Sequence, residues 1–136
     1  MSNIRTKLSA KNPYFIDKYR YLELKNFCLQ YKTWKKMYKD IDGSPNQNFS
    51  EVKNSKNISD PVFKAVEKRE EYLHKIELVE NSAKESDPEL YGYLIHGVTE
   101  GVSYYGLRLY YDMPACKDKY YKAYRRFFFI LDKSRK

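Results

Sequence analysis

The chain has 136 residues, one domain's length or one domain and an arm, and its 26 Lys and Arg against 18 Asp and Glu leave a net charge of +8. No apolar run approaches the roughly 20 residues that a membrane-spanning helix needs, and the opening stretch Met1–Lys11 is too polar for a signal peptide. Two cysteines and two histidines are too few for a disulfide framework or an obvious metal cage, so secreted, membrane and zinc-finger classes are disfavoured and the expected home is the cytoplasm.

In chain order, Asn12-Pro13 reads as the first helix start, because Asn caps well and Pro suits the first helical position. Tyr14, Phe15, Tyr19, Leu22, Phe27, Leu29 and Trp34 then recur at roughly helical spacing, which predicts one long helix or two short ones between Pro13 and Lys39. Gly43-Ser44-Pro45 ends this segment. Residues 42–60 are rich in Asn, Ser, Gly and Pro and read as a linker. The division is therefore an N-terminal basic helical segment (1–41), a linker (42–60) and a helical domain (61–136).

Asp60-Pro61 repeats the start signal. Val62, Phe63, Val66, Leu73, Ile76 and Val79 follow on one helical stripe with Lys64, Lys68, Arg69 and Glu71 turned away, an amphipathic helix of about 20 residues. Its stripe joins the domain core or pairs with a partner helix. Asp87-Pro88 is the third start, with Leu90, Tyr91, Leu94, Ile95 and Val98 on one face and Gly101 placed to end the helix in the left-handed conformation. Ser103 caps a short helix bearing Tyr104, Leu107, Tyr110 and Tyr111. Gly106 within it is read as room for the last helix. Asp112-Met113-Pro114 breaks the short helix, and a final helix runs from about Ala115 to Asp132 with the stripe Tyr120, Tyr121, Tyr124, Phe127, Phe128 and Leu131. No segment has the period-2 alternation of a strand, so the expected fold is all-α.

Charge is uneven along this order. Residues 1–60 hold 12 basic and 6 acidic groups, residues 61–100 hold 5 and 9, and residues 101–136 hold 9 and 3. A basic C-terminal third suits a polyanion, since fixed cations displace counterions from phosphate. Residues 87–132 have the lengths of a helix-turn-helix, whose last helix lies in the major groove of double-stranded DNA. Lys119, Lys122 and Arg126, three and four residues apart, share one polar face of that helix. Base reading is expected of Lys117, Lys119 and Lys122, phosphate contact of Arg125 and Arg126, and further backbone contact of Tyr104 and Tyr105. Asp112 stands in the turn where Gly is common, and a simple overlay puts Asp118 where an apolar residue is usual, which lengthens the turn or delays the helix.

Asp87-Pro88-Glu89-Leu90-Tyr91, Val98 to Tyr104, Met113-Pro114, Tyr120-Tyr121 and Arg125-Arg126-Phe127-Phe128 occur in an order that resembles the ArpU/RinA-type phage transcriptional regulators. The resemblance extends to Tyr19-Arg20-Tyr21-Leu22 and the Lys68–Glu80 helix. It implies a helix-turn-helix like that of sigma-factor region 4, and activation of late phage genes by promoter binding, with host RNA polymerase as a further partner and a monomer or homodimer as the working state.

Two other functions fit the same residues. A small terminase subunit carries a helix-turn-helix and an oligomerising helix and would form a ring. A protein-interaction module that binds polymerase would lack DNA affinity. Enzyme signatures such as a Gly-rich phosphate loop, G-x-S-x-G, H-E-x-x-H or C-x-x-C do not occur, so no catalytic, cofactor or metal residue is expected. His74 and His96 read as surface or half-buried residues, and Cys28 as a small core hydrophobe. Cys116 stands near the start of the last helix, where the helix dipole favours a thiolate.

Overall fold

Helix starts are set by side chains that accept the orphan amides of the first turn, and three such caps organise this chain. In the computed structural model the described residues are 14–43 and 59–135. Asn12-Pro13 and most of the 42–60 linker lie outside them. Asp17 opens the first described helix, α1 (Lys18–Cys28), its carboxylate accepting the Tyr19 amide at 3.1 Å. The segment is then two helices rather than one, since Leu29 and Gln30 form a turn before α2 (Tyr31–Gly43). Helix α3 (Ser59–Ser86) runs on through residues of low apolarity. Ser82, Ala83 and Ser86 are buried there, their small side chains serving as the packed face.

Asp87 caps the next turn by accepting the amides of Glu89 and Leu90 at 2.9 and 3.1 Å, and α4 (Tyr91–Glu100) follows. It ends at Gly101 with φ +71°, a conformation open to glycine at little cost. Ser103 caps α5 (Tyr104–Tyr111), taking the Gly106 amide at 3.1 Å. Asp112 closes α5 with φ +55°, so the turn forms without glycine because Asp tolerates the left-handed region. Helix α6 (Lys117–Ser134) completes the all-α fold. Its connection from α5, Asp112–Cys116, is longer than the three or four residues of a usual helix-turn-helix. Met113 and Ala115 within it are buried.

The described residues fall into two compact units. One contains the residues up to Gln30 and those from Leu78 onward; the other lies between Tyr31 and Glu77. The grouping differs from the order along the chain, because α1 packs on α6 and α4 in the first unit. The α6 face that meets it is aromatic. Tyr120, Tyr124, Phe127, Phe128 and Leu131 are all buried, and Phe127, Phe128 and Leu131 each contribute about 1.5–3 kcal/mol of apolar burial. From α1 the buried residues are Tyr21, Leu24, Phe27 and Cys28, whereas Tyr19, Leu22 and Leu29 are exposed. Of the expected stripe on this helix Phe27 holds, while Tyr19 and Leu22 give way to Tyr21 and Leu24. Arg20 donates to Asp132 at 2.6 Å and ties α1 to the end of α6.

Close approach of α6 to α4 depends on Gly97, since a Cβ there would run into the Tyr120 hydroxyl. Gly106, expected to make room for the last helix, instead faces Val102 and the Ser103 cap. In the second unit, Trp34 and Ile76 are buried, and the Arg69 guanidinium lies 4.6 Å over the Tyr38 ring and bonds its hydroxyl at 3.0 Å. Phe63 and Val66 of the expected α3 stripe are exposed. Among the described residues no helix is long and apolar enough to cross a membrane.

Candidate nucleic-acid interface

Helix α6 has one face locked into the core, so its function rests on what the remaining surface carries. The exposed positions Lys119, Lys122 and Arg126 recur at three and four residues and form one stripe. The stripe is about 10 Å long at 1.5 Å per residue, comparable with three base-pair steps of 3.4 Å. No carboxylate among the described residues pairs with Lys122 or Arg126. Lys119 pairs with Glu89 at 3.5 Å, but both side chains are largely in solvent. Such a pair contributes little and is readily exchanged for a phosphate. Lys and Arg at these positions can meet guanine O6 and N7 or phosphate oxygens.

Arg125, three residues after Lys122, borders that stripe, while Lys117 lies away from it; both are half-buried. Lys117 lies 5.4 Å over the Tyr105 ring and reaches its hydroxyl at 3.4 Å. Lys117 thus stands on the other side of α6 from Lys119 and Arg126, with Arg125 between. Tyr105 remains exposed beside Lys117. Tyr104 is corrected outright. It is buried and its hydroxyl donates to the Ala115 carbonyl at 3.0 Å, holding the α5–α6 connection rather than facing a partner. Arg108 donates to that hydroxyl at 3.2 Å. Asp118 is exposed in the first turn of α6. The helix starts at Lys117, and Tyr120 is its first buried residue.

Two features escaped the sequence reading. Leu109 is 74% and Tyr110 77% exposed on α5. Of the residues on this eight-residue helix, only Tyr104 and Leu107 turn inward. The second is a bridge between α4 and α5. His96 stacks on Tyr111 with centroids 4.2 Å apart, and Glu100 takes the Tyr111 hydroxyl at 3.1 Å and the His96 Nδ1 at 2.6 Å. The spacing His96-Glu100 at i,i+4 was the available signal. The Glu100 carboxylate raises the Tyr111 phenol above its usual range. His74 is exposed, Cys28 is buried and Cys116 is exposed at the α6 N-cap, both thiols being free. Burial pushes the Cys28 thiol well up. Among the described residues no group of three His, Cys, Asp or Glu side chains is placed to hold a metal.

In comparisons with known proteins, no family model, no curated protein and no solved structure matches this chain.

Proposed function

We propose that the chain binds double-stranded DNA through the exposed stripe of α6 and regulates transcription at a promoter, as a late-gene activator of the phage type that its sequence resembles. The observation that carries this reading is the disposition of α6. Its aromatic face is fully used by the core, while Lys119, Lys122 and Arg126 stand together in solvent, two of them without a carboxylate partner among the described residues. A helix held rigidly from behind with cations in front is what major-groove docking requires.

The order α4, α5, connection, α6 supports a helix-turn-helix-like arrangement with a lengthened turn. An activator also needs a polymerase contact, and exposed Leu109 and Tyr110 on α5 support one. That same pair favours a second reading, a protein-interaction module that acts on polymerase without DNA.

Selection of bound duplexes from a random pool at about 150 mM salt, where phosphate contacts alone bind weakly, separates the readings. A recovered consensus, lost in the Lys122→Ala/Arg126→Ala variant, is the expected result. Failure to enrich any sequence, together with retained polymerase binding, would replace the DNA reading by the second one. Light scattering distinguishes the monomer or homodimer expected here from the ring of a small terminase subunit.

A further inference from the structure

Helix α1 is apolar on two opposite sides. Tyr21, Leu24 and Cys28 are buried on the inner side, where the helix packs on α6 and α4. On the outer side Tyr19 is 72%, Leu22 41% and Leu29 44% exposed, and Phe15, just ahead of the helix, is exposed as well. A helix that is apolar all round is normally covered all round. The described residues leave the outer side of this one open.

The exposed residues are evenly spaced. Phe15, Tyr19, Leu22, Asn26 and Leu29 follow one another at steps of four, three, four and three. That alternation is the spacing of a seam between two helices, whose a and d positions meet the partner. A step of three runs from a to d, which makes Tyr19 and Asn26 the a residues and Leu22 and Leu29 the d residues. Leu29 caps the helix with right-handed helical angles, so the seam keeps its register to the end. A single Asn at an a position lowers stability and fixes register and strand number.

Charge selects the occupant. Lys18 and Lys25 flank the seam on one side, at g positions, and Glu23 and Gln30 flank it on the other, at e positions; all four are exposed. A parallel pair of identical helices sets the g side of one beside the e side of the other. Lys18 of each chain then meets Glu23 of the other, twice by the two-fold symmetry. An antiparallel pair would set Lys18 against Lys25. The seam is thus complementary to itself, in one orientation. Glu23 lies 3.4 Å from Arg20, but its side chain is 67% exposed and can take a second cation.

We infer that the outer side of α1 is a homodimer interface, at which two copies of the chain pair in parallel through Tyr19, Leu22, Asn26 and Leu29. An 11-residue helix offers about three turns, which bury less than the roughly 1,200 Å² of a stable interface. The dimer is therefore reversible, with a Kd on the order of 10–100 µM. The inference does not rest on the DNA reading, because Lys119, Lys122 and Arg126 belong to α6 and the association needs no DNA.

Sedimentation equilibrium of the full chain without DNA, between about 1 and 500 µM, tests the assignment. A monomer–dimer equilibrium is expected. Leu22→Glu, which puts a charge at an exposed d position, is expected to stay monomeric throughout, with unchanged circular dichroism showing an intact fold. Leu109→Glu, on the exposed surface of α5, is expected to dimerise like the parent. Lys18→Glu sets acid against acid on both flanks and is expected to weaken the dimer about tenfold, and Lys18→Glu/Glu23→Lys to recover it. A monomer at every concentration, a dimer unaffected by Leu22→Glu, a dimer lost in Leu109→Glu, or a dimer strengthened by Lys18→Glu would each overturn the proposal.

Discussion

Tyr21 of α1 and Tyr124 of α6 meet hydroxyl to hydroxyl at 2.8 Å inside the core, 103 positions apart in the chain. Each ring also packs edge-on or tilted against Phe128, with centroids about 5 Å apart. Removing one hydroxyl withdraws a buried hydrogen bond from the other, which costs about 1–3 kcal/mol, whereas replacing both by Phe leaves an apolar pair of nearly the same shape. Tyr21→Phe and Tyr124→Phe are each expected to destabilise by about 1 kcal/mol or more and the double variant by less than their sum. A double-mutant cycle from urea denaturation reads the coupling directly, and additive losses would show that the bond contributes nothing.

Gly97 and Tyr120 form a second dependent pair. An added methyl at position 97 collides with the Tyr120 hydroxyl, yet its next nearest neighbours, Leu107 Cδ1 and Tyr120 Cζ, stand at 3.4 and 3.5 Å. Gly97→Ala is therefore expected to lose about 1–3 kcal/mol through overpacking. Adding Tyr120→Phe to it should restore most of that loss, because the one colliding atom is gone. Thermal denaturation of the two variants checks this, and a double variant no more stable than Gly97→Ala would place the clash elsewhere.

High pH should unfold the first unit through its buried acids. Burial raises the Tyr120, Tyr124 and Cys28 groups above their ordinary values. Each keeps its proton in the folded chain at pH values where the unfolded chain has lost it. The stability they carry is complete below the unfolded values, about 8.5 for a thiol and about 10 for a phenol. It then falls as pH climbs towards the raised folded values, by up to about 1.4 kcal/mol per pH unit for each group. Melting temperature should be insensitive to these groups from pH 6 to 8 and decline above about 9, with tyrosinate absorbance for the buried tyrosines appearing only on unfolding. Early tyrosinate at all positions in the folded protein would contradict their burial.

Asp112 offers a test of the turn. Its φ of +55° is uncommon for a residue with a side chain. Asp112→Gly removes the Cβ penalty but gives the unfolded chain more freedom. The net change should lie within about 1 kcal/mol, while Asp112→Val, a β-branched residue, should lose about 1–2 kcal/mol or more. Chemical denaturation with similar m-values for all three proteins measures it.

These pairs show which parts of the molecule could be read from residue order. The α6 stripe was legible because its aromatics recur at three and four residues with charges between them. The ends of α4 and α5 were legible because Gly101 and Ser103 have strong local preferences. The inward face of α1 was not, since Tyr19, Tyr21, Leu22 and Leu24 offer apolar groups on adjacent sides and only tertiary packing on α6 chooses Tyr21 and Leu24. Tyr104 and Tyr105 illustrate the same difficulty at the site. A tyrosine has an apolar body and a polar tip, and burial separates the first from the second. The split of Lys117 from Lys119, Lys122 and Arg126 was legible as well, because helical spacing alone puts Lys117 on the far side of α6, whereas the start of the helix at Lys117, after the buried Met113 and Ala115, was not.

That split leads to the sharpest prediction for DNA. If α6 docks through Lys119, Lys122 and Arg126, these side chains displace counterions when the complex forms, and each phosphate contact steepens the salt dependence of binding by about 0.9 in the log–log slope. Lys122→Ala/Arg126→Ala should therefore weaken binding at low salt and flatten the slope by up to about 2. Lys117→Ala removes a cation from the other side of the helix, where it lies on Tyr105, and should leave the slope nearly unchanged. Fluorescence anisotropy with a labelled duplex between about 50 and 200 mM salt provides both slopes. Equal flattening by Lys117→Ala would mean that the duplex contacts both sides of α6 and that the stripe at Lys119, Lys122 and Arg126 has no privileged role. A larger effect of Lys117→Ala than of the double variant would move the interface to the side of Lys117 and Tyr105.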